Sequence, residues 1–239
     1  MKLVSLQFQT SEVFEDNLEK LINLIQKCEK DSLILAPEVS LTSFSYDRFD
    51  SASEFSLKAL DRIKKATKDK TFAFTIVEKI GNDFFNVLKV IRDEKIIYEQ
   101  RKFKLFPLGD EPKYFSAGEK QDIKIFEIDG LKIASLICFE LRFVSLWERV
   151  KGADIILVPA MWGKPRKEHF ETLCKALAIS NQAFVVASDS ANFDMAKSSA
   201  IISPFGNVTL DDKKELIELE MDREEIKKMR KYIDIGLLK

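Results

Sequence analysis

LKIASLICFELRFVSLWERVKGADIILVP, residues Leu131–Pro159, runs from a mostly apolar strand through a charged helix into a strand with no polar residue, Ile155-Ile156-Leu157-Val158. A strand apolar on both faces must be covered on both faces. Phe184-Val185-Val186 repeats the pattern. Strand, helix and strand in this order form a β-α-β passage, which sets the two strands parallel.

Working outward, the same alternation continues. Downstream, Lys167–Asn181 reads as a helix, and Ala183–Ser188 and Ser199–Ser203 as strands. Pro204-Phe205-Gly206-Asn207 then turns the chain toward a final strand, Glu215–Met221, and a charged helix, Asp222–Lys231. Upstream, Asp129-Gly130 is a two-residue hairpin turn between Ile123–Ile128 and Leu131–Ile137. Arg101–Gly118, carrying Pro107, Gly109 and Pro112, reads as a long ordered loop. Before it, strands are expected at Lys95–Tyr98, Phe84–Ile91 and Thr71–Glu78. Ala52–Asp69 is a helix, and Ser32–Ala36 a short strand stopped by Pro37. Val13–Lys30 is a helix with Ser11 as its cap, and Lys2–Gln9 the first strand. The helix following Leu131–Ile137 is expected over Leu141–Lys151. Hairpins and β-α-β passages together fit a four-layer α-β-β-α sandwich, two sheets packed face to face under helices. No repeat or linker interrupts residues 1–239, so one domain is expected.

The 38 Lys+Arg and 39 Asp+Glu leave a net charge of −1, without the basic excess that nucleic-acid or membrane-surface binding requires. No apolar run approaches the ~20 residues of a membrane span, and the start turns polar by Gln7, as a first strand and not a signal peptide does. Cys28, Cys138 and Cys174 are odd in number and widely spaced, which points to the reducing cytoplasm and no disulfide framework. His169 is the only histidine. With no short Cys spacing beside it, a metal site is not expected.

Three residues stand out by position. Glu38 follows Leu33-Ile34-Leu35-Ala36-Pro37, and a carboxylate at the end of a buried strand is either turned to solvent or a general base. Cys138 lies where a strand meets a helix, a place that favours thiolate, although a free Cys is also a common core residue. Lys102 opens the long loop; alone it reads as a solvated charge. Cys28 and Cys174 sit on apolar helical stripes and read as core.

Taken in order, these segments resemble the nitrilase superfamily of carbon–nitrogen hydrolases. Leu35-Ala36-Pro37-Glu38 is similar to its glutamate motif, Arg101-Lys102-Phe103-Lys104-Leu105-Phe106 to its lysine motif, and Cys138-Phe139-Glu140-Leu141-Arg142-Phe143 to its nucleophile motif. Gly152-Ala153-Asp154 through Pro159-Ala160-Met161-Trp162, and Ala176 to Val185, continue the match across the chain. Lys104 and Val144 depart from the pattern, and the glycine expected two residues before Ser199 is missing.

The resemblance implies a Glu38–Lys102–Cys138 triad and a second glutamate after the lysine, best matched by Glu111 with Asp110 as its rival. It implies attack by Cys138 on a small linear amide, a thioester intermediate and release of ammonia, with Phe139 supplying a backbone N–H. Lys102 is expected to lower the Cys138 pKa. Carbamoyl-amine or nitrile hydrolysis would use the same triad, and a non-catalytic scaffold is the alternative of another class. No cofactor is required, and a homodimer is implied. Trp162 is expected to wall the pocket, with Lys164 or Arg166 meeting an anionic substrate end, as in ω-amidases.

Overall fold

In the computed structural model, which describes residues 1–237, twelve strands form two six-stranded sheets. The first holds β1 (Lys2–Leu6), β2 (Leu33–Leu35), β3 (Thr71–Ile80), β4 (Asp83–Arg92), β5 (Lys95–Arg101) and β12 (Leu216–Glu220), in the order β12-β1-β2-β3-β4-β5. The second holds β6 (Phe126–Ile128), β7 (Leu131–Ser135), β8 (Ile155–Pro159), β9 (Phe184–Ser188), β10 (Ala200–Ile202) and β11 (Val208–Leu210), in the order β11-β10-β9-β8-β7-β6. The helices are α1 (Phe14–Lys27), α2 (Phe49–Ala66), α3 (Glu111–Tyr114), α4 (Val144–Val150), α5 (Lys167–Asn181) and α6 (Arg223–Tyr232). This is the α-β-β-α sandwich the doubly apolar strands require.

Alternation along the strands assigns each face. In β1, Leu3 packs in the cluster shared with Ile133, Leu157 and Val186 of the second sheet, whereas Val4 packs with Leu21, Ile25 and Ile63 of α1 and α2. Two hydroxyls stitch the sheets together: Ser5 Oγ donates to the Ala187 carbonyl and Ser188 Oγ to the Leu6 carbonyl, both at 2.6 Å. Buried hydroxyls between sheets need such acceptors.

β1, β2 and β3 are parallel, as are β7, β8 and β9. Their carboxyl ends are where an open α/β sheet collects its ligand-binding residues. Glu38 follows β2, Cys138 follows β7, Trp162 follows β8 and Asp189 follows β9. At the opposite end, Asp129 and Gly130 take φ of +51° and +72°, the left-handed pair that a type I′ turn demands.

Several expected boundaries move. α1 starts at Phe14 without a side-chain cap; the Ser11 hydroxyl instead accepts the Val13 N–H. Ser11 also exchanges hydrogen bonds with buried Asn17. The helix expected from Leu141 is preceded by a 3₁₀ turn, Cys138–Arg142, and α4 begins only at Val144. The long loop contains a 3₁₀ turn, Pro107–Gly109, and the one-turn α3. β11 was not expected at all. Among the described residues, no helix is long and apolar enough to cross a membrane.

Candidate active site

Lys102 is fully buried, and its Nζ lies 2.7 Å from Glu38 Oε1 and 2.7 Å from Glu111 Oε1. Burial alone lowers the pKa of a lysine, but Glu38 and Glu111 outweigh it, and Lys102 is held above its ordinary value as an ammonium. Burial pushes Glu111 above the usual carboxylate range; Lys102 pulls against this, and Glu38 adds to it. The second oxygen of Glu111 accepts the Phe106 N–H at 3.0 Å. Asp110, the rival for this place, instead pairs with Lys113 at the surface.

The Glu38 carboxylate is divided between two tasks. Oε1 accepts from Lys102 and from Asn86 Nδ2 at 2.8 Å. Oε2 is buried without a hydrogen-bond partner, a costly state unless the oxygen is kept for a proton. The turn carrying Glu38 is strained: Val39 takes φ +41°, rare for a β-branched residue. Its N–H is held by Thr75 Oγ1 at 2.6 Å.

Cys138 also takes a left-handed conformation, φ +49°. Such strain clusters where a fold holds a side chain out for function. The thiol is buried, and it is coupled electrostatically to Glu38, Lys102 and Glu111. Burial raises it well above the ordinary thiol value and Glu38 adds to this, while Lys102 opposes. Lys102 lowers the thiol as expected, but the net direction is upward, which corrects the thiolate expected where the strand meets the helix. The 3₁₀ turn after Cys138 has no α-helical N-terminus to favour thiolate, and desolvation outweighs one lysine shared with two carboxylates.

A small cavity opens beside the thiol, lined by Phe106, Cys138, Phe139, Arg142, Met161, Trp162 and Arg166. Phe139 packs against Phe106 at 5.0 Å between ring centroids. Trp162 Nε1 donates to the Arg166 carbonyl at 2.8 Å, and the Arg142 guanidinium lies 4.8 Å from the Trp162 ring centroid. Arg166 lines the pocket, its guanidinium 5.2 Å from the Phe106 ring centroid. Lys164 does not; its ammonium lies over Phe193. Arg142 was missed as a pocket residue. Its signal was its place four residues after Cys138, which the 3₁₀ turn brings back to the cavity. Arg142 also donates toward His169 Nδ1 at 3.1 Å.

The carbon-nitrogen hydrolase family profile matches residues 3–231. The chain belongs to the carbon–nitrogen hydrolase family. This carbon–nitrogen hydrolase is 32% identical to the 2-oxoglutaramate amidase of Bacillus subtilis (strain 168), over 92% of this chain and 90% of the relative. It is 28% identical to a deaminated glutathione amidase of Escherichia coli O157:H7, over 96% and 93% of the two chains. Its fold matches the crystal structure of Saccharomyces cerevisiae Nit3, a member of the nitrilase superfamily, with TM-score 0.86 and 22% identity over 99% and 95% of the chains.

Two further carboxyls in this carbon–nitrogen hydrolase are buried against backbone amides. Glu140 accepts from Phe103 N at 2.6 Å and Ile137 N at 2.7 Å, tying the Lys102 segment to the Cys138 turn. Asp189 accepts from Trp162 N and Lys197 N. Burial pushes both up to about 7 against the pull of those N–H groups. A carboxyl with a raised folded-state pKa stays protonated in the folded chain after the unfolded chain has released its proton. Its stabilising share is full below the unfolded pKa, near 4, and is lost as pH rises through about 7. Thermal unfolding is expected at a lower temperature at pH 8 than at pH 5, by at least ~5 °C. Glu140→Gln is expected to flatten that slope. A melting temperature level across this range would show that the two carboxyls are ionised throughout.

Proposed function

We propose that the protein hydrolyses the C–N bond of a short linear amide bearing a carboxylate at its far end, through a cysteine thioester. The observation that carries this reading is a buried ammonium between two glutamates, in electrostatic contact with a thiol that lines a small pocket together with Trp162, Arg142 and Arg166.

The thiol is neutral at rest, so attack and proton transfer go together. Cys138 Sγ bonds to the amide carbon while its proton passes to Glu38, whose free Oε2 is suited to take it. The Lys102 ammonium and the Phe139 N–H stabilise the oxyanion. Glu38 returns the proton to the nitrogen, the C–N bond breaks and ammonia leaves. Water then attacks the thioester and gives a proton to Glu38. The second tetrahedral intermediate expels the sulfur, which regains that proton, and the acid departs. Glu111 holds Lys102 in place throughout.

The anionic end is assigned to Arg166 and Arg142, since guanidinium binds carboxylate bidentately. The name of the Bacillus relative contains a substrate of this class. A cationic carbamoyl-amine would meet both guanidiniums and is disfavoured.

Ammonia release from succinamate, α-ketoglutaramate, propionamide and N-carbamoylputrescine tests the reading. The anionic amides are expected to have the higher kcat/KM. Arg166→Gln should lower it for them by about 10- to 150-fold, the worth of one charged hydrogen bond, and leave propionamide unchanged. A preference for neutral or cationic amides rejects the anion site alone. No turnover of any amide rejects the hydrolysis.

A further inference from the structure

Asn86 shares a face of β4 with Leu88 and Val90, which pack in the cluster between the sheets, and it too is buried. A side-chain amide there is costly unless it is paired. Only half of it is paired: Nδ2 donates to Glu38 Oε1 at 2.8 Å, whereas Oδ1 has no hydrogen-bond partner. The carboxylate sets the orientation of the amide, since the reverse would turn two accepting oxygens on each other. Leucine would fill a similar volume without an unpaired oxygen, so what this position keeps is the donor.

The main chain of Asn86 is tied to the same site. Its carbonyl accepts the Lys102 N–H at 2.8 Å, continuing the β4–β5 register in which Val87 faces Arg101. Lys102 Nζ in turn reaches Glu38 Oε1 at 2.7 Å. One oxygen of Glu38 therefore receives an ammonium and an amide, from two residues that are themselves hydrogen-bonded. A carboxylate oxygen with two donors has both lone pairs occupied. Oε2, with no donor, is the oxygen left free for a proton. A single donor would let the carboxylate turn about its own axis; a second, arriving from another direction, fixes its plane.

We infer that Asn86 is a positioning residue for Glu38: with Lys102 it saturates Oε1, stops the carboxylate from turning and so makes Oε2 the oxygen that takes the Cys138 proton. The inference rests on Glu38 being the proton carrier of the proposed reaction. Asn86 acts through Glu38 and is not among the residues that line the pocket.

The test is Asn86→Leu in the full chain, which removes the donor and keeps the size. Cys138 alkylation by iodoacetamide, followed by peptide mass against pH, needs no amide turnover: Sγ bonds to the methylene carbon, iodide leaves and the thiol proton passes to Glu38. Loss of the donor disfavours the ionised carboxylate, so the low-pH limb of the alkylation profile should move up by about one pH unit. Loss of orientation should lower the rate on the plateau above that limb by about tenfold. The titratable groups coupled to Glu38 are Lys102, Glu111, Cys138, Tyr46 and Asp189, and the substitution alters none of them. In a catalytically active enzyme, kcat should show both changes, with KM near that of the wild type. A lower melting temperature with the limb in place overturns the inference, because Asn86 then only packs. A moved limb with an unchanged or faster plateau also overturns it, because the amide then tunes Glu38 without positioning it. Should the leucine variant fail to fold, Asn86→Val, β-branched as strands favour, carries the same expectations. If the wild-type protein hydrolyses no amide while both alkylation changes appear, the amidase reading fails and the positioning role stands. Amide turnover with neither change keeps that reading and removes Asn86 from it.

Discussion

Cys138→Ala is expected to lower amide turnover by about 10⁶-fold, the scale of losing a covalent nucleophile, and to leave the fold intact. The reason lies in the surroundings of the sulfur and not in its titration alone. Burial raises all three thiols: Cys28 to about 12, and Cys138 and Cys174 well above the ordinary value. Only Cys138 has Glu38 beside it to accept the proton and Lys102 to receive the developing oxyanion. Cys28 hydrogen-bonds the Leu24 carbonyl at the end of α1, and Cys174 packs against Leu177 and Phe170 in the core. Cys28→Ala and Cys174→Ala should therefore cost stability, about 1–3 kcal/mol each, and keep kcat. Steady-state kinetics with thermal melts of the three variants separate the two kinds of loss. An active Cys138→Ala would end the thioester mechanism.

The parts of this molecule legible in its sequence are those whose physics is local. Doubly apolar runs such as Ile155–Val158 require two covered faces, and Asp129-Gly130 supplies the left-handed turn of its hairpin. The helix Lys167–Asn181 is observed with the bounds its periodicity predicts. β11 escaped because three residues, Val208-Thr209-Leu210, are too few to show a period. The helix start after Cys138 was misplaced because a 3₁₀ turn advances three residues per turn, a spacing that short apolar stretches do not distinguish from 3.6. α3 is a single turn with Pro112 in its second position, so it read as loop. The resemblance pointed to Glu38, Lys102, Glu111 and Cys138, and the fold brings them together. It did not foretell the direction of the Cys138 pKa, which depends on how much water the folded chain removes and how two glutamates share one lysine. Nor did it give a pocket role to Arg142, although Arg142 stands in the nucleophile motif, or mark Asp189. Both are polar residues whose meaning depends on what the opposite segment presents: a cavity for Arg142, and two convergent amides for Asp189.

Lys102→Arg should lower kcat by at least ~100-fold, as removal of a placed oxyanion donor does, although the charge is kept. The ammonium contacts Glu38 and Glu111 as a point charge from a fully buried position. A guanidinium is planar, larger and prefers a two-pronged grip on one carboxylate. It would therefore pull Glu38 or Glu111 out of place, and its donors would no longer converge where the oxyanion forms. Overpacking of this kind costs about 1–3 kcal/mol, so the folded state should survive and the loss should appear in kcat. Lys102→Met sets the other limit. It leaves two buried carboxylates without their shared cation, and breaking a buried pair in this way costs about 3–5 kcal/mol. Relative to the wild type, its melting temperature should fall by several degrees at neutral pH and recover toward pH 5, where the orphaned Glu111 carboxyl takes up a proton. Near-normal kinetics in Lys102→Arg would mean that only the charge at this position matters. A melting difference from the wild type that does not change with pH would mean that Glu111 does not depend on Lys102 to stay ionised.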